Sequence, residues 1–257
     1  MIAAPRPGLL LIAHGSRDQR HARAIAALSA AVAGNLPGVA VETGFLSLSE
    51  PSVTEAYGRL LSGRPGGGGP AAEDGAGTAG DRAVRVVPLF LRAGHHVQHD
   101  VPLAVAEARR AFPLDIAVTV ADPLGPDRLL DESFERRIRE AGCWPGDPQV
   151  QLVPAGATKK TELDPAALAA PYPPGIARRL VLAGFLAPGE LPDRARARAA
   201  AAATAITEPL ISETLGPAEE LVRLVVARYL GGLPDGAPAG CARRSAGQGS
   251  LLHSGKR

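Results

Sequence analysis

Apolar positions along the first half of the chain come in short solid blocks separated by mixed stretches. Leu9 to Ala13 (LLLIA) is unbroken after Pro5 and Pro7, which predicts a strand buried on both faces, as in a parallel sheet covered by helices. His14-Gly15-Ser16-Arg17-Asp18 follows, then an Ala-rich helix over His21 to Ala33, stopped by Gly34-Asn35-Leu36-Pro37-Gly38. Val39 to Phe45 reads as a second strand, and Glu50-Pro51-Ser52 opens a helix reaching Ser62. Val84 to Leu91 is a third strand, followed by a helix over Leu103 to Phe112. Asp115 to Val120 is a fourth strand, ending in Ala121-Asp122-Pro123-Leu124-Gly125. This alternation predicts a parallel α/β sheet, whose active site lies at the carboxyl ends of its strands.

The second half repeats the pattern more faintly. A helix over Leu129 to Ala141 precedes strands at Val150 to Val153 and Ala177 to Leu182, and Ala218 to Leu230 is a final helix. Three segments pair with the first half in the same order. Pro154-Ala155-Gly156-Ala157 pairs with the end of the first strand, Gly184-Phe185-Leu186-Ala187-Pro188-Gly189 with Phe90-Leu91-Arg92-Ala93-Gly94, and Glu208-Pro209-Leu210, led into by Ala201 to Ile206, with Asp122-Pro123-Leu124. An internal duplication follows: an N-terminal lobe at 1–125 carrying the site, a degenerate C-terminal lobe at 126–230, a flexible Gly-rich insertion at 62–82 and a disordered tail at 231–257.

Composition narrows this picture. The 257 residues hold 28 Lys and Arg against 26 Asp and Glu, a net charge of +2, which argues against a nucleic-acid binder. Cys143 and Cys241 are the only cysteines, too few for a disulfide framework or a Cys-rich zinc site. No apolar run is long enough to span a membrane and no signal pattern opens the chain, so the expectation is a cytoplasmic protein with no membrane partner.

Five of the six histidines fall in two clusters, His14 with His21, and His95, His96 and His99. In the expected fold, His14 ends the first strand and His96 lies just past the third. Adjacent parallel strands are about 4.8 Å apart, so the two imidazoles can face one another and either hold a divalent transition metal or accept protons near pH 7. Each also has a plainer reading. His14 can cap or pack, His21 faces solvent on its helix, His99 sits equally well on a helix's first turn, and Asp100 either caps that helix or holds a neighbouring imidazole. Gly15-Ser16 at a helix start offers backbone N–H groups to an anion.

Leu10-Leu11-Ile12-Ala13-His14-Gly15-Ser16-Arg17, Phe45-Leu46-x-Leu48-x-Glu50-Pro51, Val87-Pro88-Leu89-Phe90-Leu91 and Gly94-x-His96-x-x-x-Asp100-Val101-Pro102 together resemble the class II tetrapyrrole chelatases, more narrowly the CbiX-type sirohydrochlorin cobalto- and ferrochelatases. The resemblance implies two similar α/β lobes with a cleft between them and ATP-independent insertion of Co²⁺ or Fe²⁺ into sirohydrochlorin, in cobalamin or siroheme synthesis. It implies that His14 and His96 are the catalytic, metal-binding residues, with His99 and Glu50 as further candidate ligands. Gly15, Ser16, Arg17, Arg92 and Gly94 are candidate contacts for the acidic substrate. The metal is a substrate, no cofactor is permanently bound, and one chain can act as a monomer.

Two departures stand out. Several relatives carry a Glu where this chain has Ser47, so either Glu50 supplies a carboxylate or the site works without one. In the second lobe Ala155 stands for His14 and roughly Leu191 for His96, which leaves one active site. Two rivals remain: a protein that binds or delivers metal or tetrapyrrole without turnover, and a protohaem-type ferrochelatase, for which nine aromatic residues make a thin wall.

Overall fold

The computed structural model describes residues 6–63, 83–156, 163–203 and 208–231. The expected Gly-rich insertion from residue 64 onward and the expected tail beyond 231, with His253 and Cys241, lie outside the described residues. The chain divides into two compact units. Among the described residues, the first takes 6–17, Ile25–Pro126 and 222–231; the second takes Asp18–Ala24 and Asp127–Leu221. This differs from lobes at 1–125 and 126–230 at two places: the start of the first helix joins the second unit, and the end of the last helix joins the first.

The first unit is a four-stranded parallel sheet in the order β2-β1-β3-β4, formed by β1 (Gly8–Ala13), β2 (Val41–Phe45), β3 (Ala83–Pro88) and β4 (Ala117–Val120). The apolar block takes a central position, and Leu9 through Ile12 are fully buried. On one face, Leu10, Ile12, Val84 and Val86 pack against Val53, Ala56 and Tyr57 of α2 (Val53–Ser62) and Val101, Val105 and Ala108 of α3 (Val101–Ala111). Gly44 allows the close approach of β2 and α2, because a Cβ there would lie 2.6 Å from the Val53 Cα. Ser52 and Glu55 form a capping box that starts α2. Helix α1 (Gln19–Gly34) buries Ile25, Leu28 and Val32. The last helix, α7 (Glu219–Leu230), ties itself to strand ends: the Tyr229 hydroxyl donates to the Pro7 carbonyl at 2.7 Å, and the Arg228 guanidinium to the Pro123 and Leu124 carbonyls.

The second unit is a three-stranded parallel sheet, β5 (Val150–Ala155), β6 (Arg178–Ala183) and β7 (Leu210–Ile211), in that order. Helices α4 (Arg128–Glu140), α5 (Pro165–Ala169) and α6 (Glu190–Ala201) accompany it. Its core cluster is built on small side chains, Ala155, Leu163, Leu168, Val181, Ala199 and Ala202.

Several expected boundaries move. Strand β3 ends at Pro88, not Leu91, after which the Leu89 N–H donates to the Ile12 carbonyl and the chain turns away. Helix α3 starts at Val101 instead of Leu103, with Pro102 in its first turn, where a missing N–H costs nothing. Ala201 closes helix α6 and does not lead a strand; residues 204–207 are outside the described residues. Helix α6 escapes the apolar pattern because its Arg-Ala alternation buries only Pro192 and Ala199 and so shows no apolar stripe.

Backbone bonds fix the register of the repeat. Ala121 donates to Val86 and Leu124 to Phe90; in the second unit Ser212 donates to Val181 and Leu215 to Phe185. Leu124-Gly125-Pro126 therefore corresponds to Leu215-Gly216-Pro217, and the expected match of Glu208-Pro209-Leu210 to Asp122-Pro123-Leu124 is displaced. Leu89 donates to Ile12 as Gly184 does to Ala155. Ala155 thus corresponds to Ile12, not His14, whose counterpart Ala157 lies outside the described residues. The spacing that pairs Phe90 with Phe185 pairs His96 with Leu191, as expected.

Candidate active site

The site stands at the carboxyl ends of β1 and β3. Ile12 and Pro88 are ladder partners, so the chain leaves both strands side by side. His14 follows β1 directly. His96 is reached through Leu89 to His95, where the Gly94 carbonyl accepts from both Val97 and Gln98 and starts a π-helical stretch, His96–Asp100. That stretch closes with the Val101 N–H donating to the His96 carbonyl. Such wide turns recur at functional sites.

These two routes bring the His14 and His96 rings to a centroid separation of 4.5 Å, tilted by 30°. His96 Nδ1 lies 2.5 Å from Asp100 Oδ2. Asp100 makes no side-chain cap to α3, so of its two expected roles the structure shows the hold on a neighbouring imidazole. An ionised carboxylate accepts, so Nδ1 donates to Asp100, and in the neutral ring Nε2 then keeps its lone pair. The bond from His96 holds the Asp100 carboxyl below its ordinary value. Partial burial, and secondly the neighbouring His96, lower the pKa of His14, with Asp100 opposing them. Phe90 sets its ring 5.9 Å from His96 and gives the pair an apolar flank.

The loop after β2 supports His14. Ser47 N–H donates to the His14 carbonyl at 3.0 Å and Leu46 N–H to the Ala13 carbonyl at 2.9 Å. Gly15 has φ +97°, and a Cβ on it would sit 1.7 Å from the Ser47 carbonyl oxygen, so only glycine fits. Next on the loop, Leu48 takes φ 61° without being glycine and leaves its side chain 55% exposed.

Other expected site residues fare differently. Ser16 N–H donates to Ser49 Oγ, which donates back to the Ser16 carbonyl; α1 begins only at Gln19, so the Ser16 amide is engaged by the protein and not presented to an anion at a helix start. His99 turns onto His95, with ring centroids 4.4 Å apart and its Nδ1 3.3 Å from the His95 carbonyl oxygen. Glu50, Arg17 and Arg92 are exposed, and His21 is half-buried on α1 rather than solvent-facing. Among the described residues no three His, Cys, Asp or Glu side chains gather into a group that could hold a metal ion. The expected ligands His99 and Glu50 therefore do not complete a cluster with His14 and His96. Phe90 belongs to one of the motifs quoted above, but only the fold shows that its ring lies against His96.

Two imidazoles side by side at the ends of neighbouring parallel strands define an α/β protein with a candidate active site at its strand ends. The CbiX family model matches residues 8–65 and 70–141, about half of the chain. The chain belongs to the CbiX family. The sirohydrochlorin cobaltochelatase of Methanosarcina acetivorans is 27% identical over 142 residues, covering 52% of this chain and 95% of its own. The sirohydrochlorin ferrochelatase of Bacillus subtilis is 21% identical over 153 residues, covering 60% and 52%. In fold, the chain is similar to the cobalt complex of the sirohydrochlorin chelatase SirB from Bacillus subtilis subspecies spizizenii, with a TM-score of 0.67 at 16% identity, over 88% of this chain and 94% of that one. No helix among the described residues is long and apolar enough to cross a membrane.

Three outcomes follow from this geometry. Gly15→Ala forces the Ser47 carbonyl away and destabilises the protein by about 2 kcal/mol or more; an unchanged melting temperature contradicts the contact. In the metal-free protein, His14 titrates below the ordinary value near 6.5. With a folded pKa below the unfolded one, stability falls as pH drops below about 6.5, because the unfolded chain takes the proton first. His96→Ala moves the His14 midpoint upward; a histidine NMR titration that shows no upward movement contradicts the coupling.

Proposed function

We propose that this protein is an enzyme that inserts a divalent metal, Co²⁺ or Fe²⁺, into sirohydrochlorin without ATP. The observation that carries it is the His14–His96 pair, 4.5 Å between ring centroids, with Nδ1 of His96 bonded to Asp100. The names of the relatives over the matched segments support the same chemistry.

Insertion exchanges two pyrrole protons for one cation, so the site has to present a metal and remove protons. A lowered pKa keeps His14 neutral at pH 7, with a lone pair available for the cation. The bond from Nδ1 to Asp100 orients the His96 ring, which suits His96 to take the first pyrrole proton at Nε2. Once the cation has passed to the macrocycle, an imidazole nitrogen of His14 is free to take the second. Two protein ligands hold the metal weakly enough to release it, where a four-ligand site would keep it. Ser47 stands where several relatives carry a Glu, and in this account Asp100 is the carboxylate that acts on the pair. The same reading places the enzyme in the cytoplasm, as a monomer, with the metal as substrate and no resident cofactor.

An anaerobic absorbance assay with sirohydrochlorin and limiting Co²⁺ or Fe²⁺ tests this. His14→Ala and His96→Ala each cut conversion by about 10²-fold or more, and Asp100→Asn by about tenfold. Near-full turnover in both histidine variants contradicts the site. Stoichiometric binding without conversion in the wild type identifies a carrier instead.

A further inference from the structure

Four imidazoles form a row in the first unit. From His99 through His95 and His96 to His14, successive ring centroids lie 4.4, 6.3 and 4.5 Å apart. The last step is the pair already described. The first step is a second pair, because His95 and His99 are stacked with 19° between their planes. His95 stands one turn before His99, where residues four apart share a helix face, and both are exposed. His99 Nδ1 lies 3.3 Å from the His95 carbonyl oxygen, which can only accept. Nδ1 therefore donates, and in the neutral ring Nε2 keeps its lone pair. His99 does not join His14 and His96, and its turn onto His95 gives it an imidazole partner of its own.

We propose that His95 and His99 form a second divalent-metal site, which captures the ion and passes it to His14 and His96. Two imidazoles four residues apart on one helical face can ligate the same ion. Nitrogen donors of this kind suit Co²⁺, Fe²⁺ or Zn²⁺, whereas Mg²⁺ and Ca²⁺ take oxygen ligands. With water in the remaining coordination positions, the ion is held loosely and leaves readily, as capture and release require. His95 stands edge-on to His96, with 74° between the planes. An ion leaving the His95–His99 pair thus meets an imidazole already oriented by Asp100, and its effective concentration there is raised by the tether. The metal site stands without the function proposed above; the passing of the ion to a reacting pair rests on that reading.

Calorimetric titration of the full chain with Co²⁺ tests the site. The expected result is a tighter equivalent and a weaker one. His95→Gln/His99→Gln weakens the second by about tenfold or more and leaves the first in place. A second equivalent that the Gln pair leaves unmoved, or a wild type without one, overturns the site. Insertion assays test the transfer. With Co²⁺ far below saturation the Gln pair slows conversion of sirohydrochlorin by about threefold or more, and at saturating Co²⁺ it matches the wild type. Equal rates at every Co²⁺ concentration overturn the transfer. A wild type that converts no sirohydrochlorin, while the Gln pair still removes the second equivalent, overturns the proposed function and leaves the metal site standing.

Discussion

Everything the first unit can do depends on the pairing of β1 with β3. Two neighbouring strands run parallel, with Ile12 beside Pro88, and each releases its chain at the same edge. A histidine directly past one strand and another at the first turn after the second are then held 4.5 Å apart. The imidazoles lie far apart in sequence and gain nothing from proximity until the sheet forms. The apolar content of β1 and β3 is therefore as much a part of the active site as the rings are, since burial on both faces fixes the register that sets their separation.

Two local devices refine that placement. On the β1 side, the loop after β2 closes against Gly15 and donates to the His14 carbonyl. On the β3 side, the π-helical stretch lets Asp100 reach back to His96. The two histidines consequently differ. The pKa of His14 is lowered by partial burial and by the neighbouring His96, whereas His96 is backed by the Asp100 carboxylate. Leu48, next to Ser47 in the chain, is an exposed apolar residue on strained backbone, and strain of that kind persists where the surrounding structure imposes it.

Much of this was legible in the chain. The block Leu9–Ala13 reads as a strand buried on both faces and is one, and the imidazoles of His14 and His96, expected to face one another, are neighbours. What stayed hidden depended on contacts between distant segments. Ser16 reads as an anion site only until Ser49 takes its amide, and His99 reads as a ligand until it turns onto His95. Helix α6 has no apolar stripe because it buries only Pro192 and Ala199. The repeat's register, read from short apolar matches, is off by two residues at Ala155 and by several at Glu208, since such matches slide freely whereas backbone bonds do not. The corrected register sets Phe185 beside Phe90 and, by the same spacing, Leu191 beside His96.

The central claim is that His14 and His96 act as one metal-donating pair. Titrating Co²⁺ into the full chain carrying ¹⁵N-labelled histidine tests it most directly by NMR. The account predicts that one equivalent shifts the His14 and His96 imidazole resonances together, with His21 unaffected, and that His96→Ala removes the response at His14. A first equivalent that moves His95 and His99 while leaving His14 in place contradicts it.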